Sequence, residues 1–151
     1  MAIMDPLFID DRLELLTSRN KTCILINQET IVYESDAFGV KPLRELRQMN
    51  YKKLDGDYLV LVDRVIGKGA LMLAELIGVD AIFTPLTSQT ALDYNKTLHI
   101  PLYYKDLVPY IENRDRSGMC PIEHSVRDTN DPELGEQNIE AAIKILMKER
   151  R

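Results

Sequence analysis

The chain has 151 residues, of which 45% are hydrophobic and 28% charged, and its formal net charge is −5. This length suits one compact domain that buries about two-thirds of the surface of the unfolded chain, and the composition excludes a disordered or fibrous protein. The acidic charge argues against nucleic-acid binding, which normally requires a basic surface. We therefore expect a single globular domain over residues 1–151.

The N-terminal segment lacks the features of a targeting or membrane sequence. It has no basic region and no long apolar stretch. We expect neither a signal peptide nor a membrane-spanning helix, and a cytoplasmic protein. In a reducing compartment the two cysteines, Cys23 and Cys120, are expected to remain free thiols.

The first third of the chain predicts a helix, a hairpin and a second helix. An apolar face that includes Leu13 and Leu16 is typical of an amphipathic helix. Two strand-like runs then meet at a polar turn over residues 27–29, which indicates a β-hairpin. A second helix begins near Pro42, and its apolar residues continue at spacing three as far as Met49.

The middle of the chain predicts alternating strands and helices. The run YLVLV is apolar on both faces, as in a central parallel strand. A nearly uncharged helix over residues 67–78 follows, and then a second buried strand over residues 79–84. Thr87 or Ser88 caps the next helix, and a further strand comes after it. This order predicts a parallel arrangement with right-handed crossovers.

Two helices are predicted near the end of the chain. Pro121 opens a short helix with Cys120 as its N-cap and Glu123 as its third residue, a pattern similar to a capping box with cysteine in place of serine. The last helix carries an apolar stripe that packs on the sheet or on a second copy of the chain. The stripe consists of Ile139, Ala142, Ile143, Leu146 and Met147.

These elements predict an α/β fold. We expect a three-layer α/β/α sandwich whose mixed sheet has about five strands, an N-terminal hairpin followed by parallel strands.

Four separated segments resemble one prokaryotic family. They read FGVKPLREL, LVLVDRVIGKGAL, VPYIENRD and GMCPIEHSV, in that order. Through them, most of the chain as far as Val126 is similar to the uncharacterised domain of unknown function 1893, whose members have a cytidine-deaminase-like fold. The resemblance implies that fold and leaves the activity open.

Zinc deaminases of this fold place His-x-Glu at one helix start and Pro-Cys-x-x-Cys at the next, so that three ligands and a general acid/base meet at one water. The corresponding stretches here, DRVIGKGA and PLTSQTAL, contain no histidine or cysteine. The whole chain has only two of each, whereas a zinc site needs three or four ligands. We expect a zinc-independent domain with no metal and no cofactor.

The C-terminal ends of the parallel strands form the expected ligand cleft. Asp63 follows the central strand, Gly67, Lys68 and Gly69 begin the next helix, and Ser88 follows the second strand. Backbone N–H groups beside an ammonium can hold an anion, although the motif is not a P-loop. The alternative interpretation is that the glycines only allow close packing.

Cys120 and His124 offer a second candidate site. A thiol at a helix N-terminus can act as a nucleophile with a nearby histidine as base, and Asp63 or Lys68 would assist. The alternative is a purely structural role at the cap. Arg114 lies in a polar loop, where it either clamps a ligand or packs within the loop.

Three hypotheses for function follow. The first is a domain that binds a small anionic or nucleotide-like ligand between the segment 63–68 and the helix at 120–124, with contacts from Ser88, Arg114 and Glu123. The second is an enzyme that uses the thiol and the imidazole on a small polar substrate. The third is an interaction module that forms a homodimer through its last helix.

Overall fold

The computed structural model describes residues 6–149, with side chains from residue 8 onward. Residues 1–5, 150 and 151 of the predicted domain lie outside the described residues. A mixed six-stranded β-sheet forms the centre, and helices pack around it. The predicted α/β class, with a hairpin followed by parallel strands, is confirmed. Within residues 6–149, no helix has both the length and the apolarity to cross a membrane.

The hairpin forms one edge of the sheet and follows the first helix. Helix α1 spans Pro6–Ser18, and strands β1 (Cys23–Asn27) and β2 (Thr30–Ser35) pair antiparallel. Gln28, in the tight turn between the strands, has a φ of 57°. This left-handed conformation usually favours glycine, whose absence weakens the hairpin signal in the sequence. Helix α2 spans Lys41–Gln48.

The central strand is interrupted and pairs along its whole length with one long neighbour. Strands β3 (Leu59–Asp63) and β4 (Val65–Ile66) both pair parallel with β5 (Ala81–Ser88), β3 with its first half and β4 with its second. Strand β3 also pairs antiparallel with β1. All five residues of β3 are buried, as its apolar sequence predicts.

Two helices connect the parallel strands. Helix α3 (Lys68–Ile77) joins β4 to β5, and helix α4 (Gln89–Leu98) joins β5 to β6 (Leu102–Val108), which pairs parallel with β5. Gly78 ends α3 with a φ of 95°, as expected. Ser88 caps α4, because its hydroxyl accepts a hydrogen bond from an α4 backbone N–H.

Helices cover both faces of the sheet, as in an α/β/α sandwich. On one face Leu16 of α1 packs with Val62 and Phe83 of the sheet. On the other face α2, α3 and α4 share a larger core that contains Leu46 and Tyr94. Helices α5 (Pro121–Val126) and α6 (Pro132–Glu149) pack on the outside of α3.

Two methionines that the sequence pattern places on apolar stripes are instead exposed. Met49 and Met147 are each 63% exposed. Met49 lies just beyond the last residue of α2. Met147 lies about 80° around α6 from the buried Ile139, because a helix turns about 100° per residue. A spacing of three or four residues therefore identifies the centre of a buried face better than its margin.

Helix α6 is attached to α2 by two ion pairs. Arg44 binds Glu140 through two hydrogen bonds of 2.8 and 2.9 Å, and Arg47 binds Glu136 through two of 2.6 and 3.0 Å. Each is the bidentate guanidinium–carboxylate geometry, the strongest form of such a pair. The C-terminal helix is thus fixed to the same layer as α3.

Gly135 allows α6 to approach α3 closely. A Cβ at this position would overlap with the sulfur of Met72, which is fully buried. We expect Gly135→Ala to lower the free energy of unfolding by about 1–3 kcal/mol, although alanine favours a helix by about 1 kcal/mol. Urea denaturation measures this change. The loss should shrink in a Met72→Ala background, and equal losses in both backgrounds would contradict the proposed overlap.

Candidate functional site

Buried polar side chains collect at the C-terminal ends of β3 and β5 and at the helix starts that follow. Buried polar groups need hydrogen-bond partners. Two of them are satisfied locally, because the Thr87 hydroxyl donates to a β4 carbonyl at 2.6 Å and Ser88 caps α4. Asp63, Lys68 and Glu123 are the buried ionisable side chains of this region. These three ionisable residues define the candidate site.

The Glu123 carboxylate binds the N-terminus of α3. Its two oxygens accept hydrogen bonds from the backbone N–H groups of Lys68 at 2.6 Å and Gly69 at 2.8 Å. A helix N-terminus has free N–H groups and a partial positive charge, so it favours a carboxylate. A Cβ at Gly67 would overlap with this carboxylate, so glycine is required for the close approach. Burial raises the pKa of Glu123, and the two amides offset part of that effect.

The predicted capping box is wrong. Cys120 is the N-cap residue of α5, but its thiol makes no capping hydrogen bond. Glu123 extends to α3 instead of back to Cys120, because α3 offers two convergent N–H groups. The backbone N–H groups of the segment 67–69 therefore bind a carboxylate of the same chain. Lys68 and Glu123 are separated by 55 residues, so no local pattern shows this contact.

Lys68 is buried without a carboxylate partner. The residue as a whole is 8% exposed, and its Nζ donates a long hydrogen bond of 3.4 Å to the Arg127 carbonyl. The same Nζ lies 5.8 Å from the centre of the Tyr94 ring. Among the carboxylates of residues 6–149, none lies within 4.0 Å of it. Burial lowers the pKa of Lys68, and the charges of Glu123 and Asp128 offset part of this effect.

A pocket of about 270 Å³ opens above these groups, between α4 and α5. Its floor is formed by Lys68, Tyr94 and Glu123, which are buried. The remaining lining residues are Thr90, Asp93, Thr97, Met119, Arg127 and Asn130. Sequence patterns single out only Lys68 and Glu123 of this set, because Tyr94 reads as an ordinary core residue of an amphipathic helix.

Asp63 forms a separate buried pair with Cys23. The two residues are direct neighbours in the antiparallel β1–β3 ladder, and both are buried. The Oδ2 atom of Asp63 has no hydrogen-bond partner among the described residues. Burial raises the pKa of Asp63 to about 7, although the N–H groups of Arg64 and Val65 lower it in part. Burial, and then the nearby carboxylate, also raise the pKa of the Cys23 thiol.

The other predicted site residues lie apart from the pocket floor. Cys120 is half-buried, and His124 is exposed beside the Arg127 guanidinium, which donates to the His124 carbonyl at 2.9 Å. The Arg114 guanidinium lies 5.4 Å from the centre of the exposed Phe38 ring. The predicted thiol chemistry stays a hypothesis. In the described part of the chain, no three His, Cys, Asp or Glu side chains are grouped to hold a metal ion.

Removal of the Glu123 carboxylate tests its role at α3. We expect Glu123→Ala to lower the free energy of unfolding by about 2–4 kcal/mol, because two buried N–H groups lose a charged acceptor. Urea denaturation measures the change. The control Glu29→Ala, at the exposed hairpin turn, should leave stability nearly unchanged. An equal, small effect of both substitutions would show that α3 does not depend on this carboxylate.

The buried carboxyl of Asp63 predicts a pH-dependent stability. Its pKa is about 7 in the folded chain, against about 3.9 when unfolded, so the folded state binds the proton more tightly. The stability that this proton provides is fully present below about pH 4 and is lost as the pH rises through about 7. The wild type should therefore lose stability relative to Asp63→Asn over this range, as measured by urea denaturation across the pH series.

Asp115→Asn is the matched control for this pH series. Hydrogen bonds from Ser117 lower the pKa of Asp115, so its contribution has the opposite sign and is lost on acidification. A stability difference between wild type and Asp63→Asn that does not vary with pH would contradict the raised pKa of Asp63.

Comparisons with known proteins agree with the resemblance seen in the sequence. A DUF1893 family protein from Thermotoga maritima, known from a crystal structure, has a similar fold with a TM-score of 0.75. The two chains are 22% identical, and the match covers 94% of this chain and 92% of that chain. Comparison with curated proteins gives no match. The family model of the domain of unknown function (DUF1893) matches residues 12–143, and the chain therefore belongs to this family.

Proposed function

We propose that the chain binds a small anionic molecule in the pocket between α4 and α5. The supporting observation is the position of Lys68, which is 8% exposed and lines the pocket. Its ammonium donates a long hydrogen bond, of 3.4 Å, to the Arg127 carbonyl. A buried charge is unfavourable unless a group of opposite charge binds it closely, and the Glu123 and Asp128 carboxylates act on Lys68 without forming a salt bridge with it. An anion in the pocket supplies that counter-charge.

The carboxylates of the pocket have partners of their own. Glu123 is held by two α3 amides, and Asp93 accepts a hydrogen bond from Gln89 and lies 3.3 Å from Lys96. Arg127 adds a second cation at the exposed rim. An incoming anion therefore meets Lys68 on the floor and Arg127 at the rim, where Arg127 also lies 3.5 Å from the exposed Asp128 carboxylate.

The size of the pocket limits the ligand. Its volume of about 270 Å³ is nearly twice that of a cavity of about 150 Å³ that holds benzene, so roughly a dozen non-hydrogen atoms fit. The Tyr94 ring offers a flat surface, and Thr90 and Asn130 offer hydrogen-bonding groups. A sugar phosphate or a dicarboxylate suits these dimensions, whereas only part of a nucleotide would be enclosed.

The proposal retains the deaminase-like architecture without zinc. The pocket lies next to the N-termini of α3 and α4, at the sheet edge where open α/β sheets bind ligands. The two other hypotheses, a Cys120 thiol enzyme and a homodimer, remain predictions. The homodimer is predicted from the apolar stripe of α6, of which Ile139 is buried and Met147 exposed, and the neighbouring Ile145 is also exposed.

Titration calorimetry with phosphoglycerate and with 2-hydroxyglutarate tests the proposal. We expect at least one of them to bind, and Lys68→Met to weaken binding about tenfold to a hundredfold, because a charged hydrogen bond contributes about 1.5–3 kcal/mol. The control Lys144→Met removes an exposed lysine of α6 and should bind as the wild type does. Equal binding by both variants, or no binding of either anion to the wild type, would contradict the proposal.

A further inference from the structure

We propose that Lys68 is a nucleophile that forms an imine with the carbonyl carbon of a small 2-oxo acid in this pocket. The inference rests on the proposed function, because anion binding delivers the substrate. Beyond anion binding, it specifies the class of substrate, a 2-oxo acid, and the covalent bond that forms, an imine.

The surroundings of Lys68 Nζ are those of a reactive amine. Lys68 differs from a lysine held by a carboxylate, such as Lys53, whose Nζ lies 2.5 Å from Asp80 Oδ1. Lys68 Nζ instead has a carbonyl at 3.4 Å and an aromatic ring at 5.8 Å. Desolvation in such a site favours the neutral amine, and lysines activated in this way form imines with carbonyl substrates.

The backbone of Lys68 is fixed by its place in the fold. Lys68 is the first residue of α3, and its N–H donates to Glu123 at 2.6 Å. The side chain extends from this fixed point into the pocket.

The pocket also contains groups that can contact the carboxylate and the carbonyl of a 2-oxo acid. The Arg127 guanidinium at the rim lies 3.5 Å from the exposed Asp128 carboxylate and donates to the His124 carbonyl, and its remaining N–H groups can bind a substrate carboxylate. Glu123 lines the same floor, and burial raises the pKa of its carboxyl, which favours proton exchange with a bound carbonyl compound. A carbonyl between these groups would face the amine.

The step is balanced without an oxidant or a reductant. The Nζ lone pair forms a bond to the carbonyl carbon, and the π electron pair of the carbonyl moves to its oxygen, which takes up a proton. The hydroxyl of the resulting carbinolamine takes up a second proton and leaves as water while the C=N bond forms, and the two protons that the nitrogen releases balance the two that the oxygen has gained. One amine and one carbonyl thus give one imine and one water.

Reductive trapping tests this inference. The full chain is incubated with 2-oxoglutarate and cyanoborohydride, which reduces the imine to a stable amine, and the modified lysines are identified by peptide mass spectrometry. We expect Lys68 to be labelled at least about tenfold faster than the exposed Lys144, because a larger share of a buried amine is unprotonated. Lys68 labelled no faster than Lys144, or not at all, overturns the inference.

Two controls separate this inference from the proposed function. The 2-hydroxy acid 2-hydroxyglutarate binds as an anion but forms no imine, so it should protect Lys68 from labelling. If it binds and Lys68 still gives no adduct with 2-oxoglutarate, the imine is excluded and anion binding stands. If neither compound binds or reacts, both fail. Lys68→Arg keeps the charge and should lose the adduct; if this variant does not fold, the wild-type labelling rates decide alone.

Discussion

The contact between Glu123 and the N-terminus of α3 is the interaction on which the candidate site depends. It joins two segments that are 55 residues apart and holds α5 against the N-terminus of α3. The pocket lies between α4 and α5, so its shape follows from this contact. The same carboxylate occupies the N–H groups that would otherwise bind an external anion, so the proposed anion would instead contact the side chain of Lys68.

Much of the fold could be predicted from local patterns. The apolar run of β3, Gly78 at the end of α3 and Ser88 at the start of α4 all have short-range signals that the structure confirms. Each depends on burial or on backbone geometry within a few residues. Met49 shows the limit, because a regular spacing does not determine where a helix ends or where its buried face stops.

The site could be predicted only in part, because its contacts join distant segments. Lys68 stood out as a lysine between two glycines, whereas the true partner of Glu123 requires knowledge of how α5 packs on α3. The Asp63–Cys23 pair likewise depends on the register of two strands, which no motif in either strand reveals. Tyr94 joins the pocket floor only because α4 and α5 face each other.

Lys68 is central to the proposed function, because it is a buried lysine whose ammonium form would take an external anion as its partner. The most direct test is NMR titration of the lysine side chains, with and without phosphoglycerate. We expect a pKa for Lys68 below the usual value of a lysine, because burial disfavours its charge, and a rise in that pKa when the anion binds. A Lys68 pKa equal to the usual value of a lysine and unchanged by the anion would contradict this expectation.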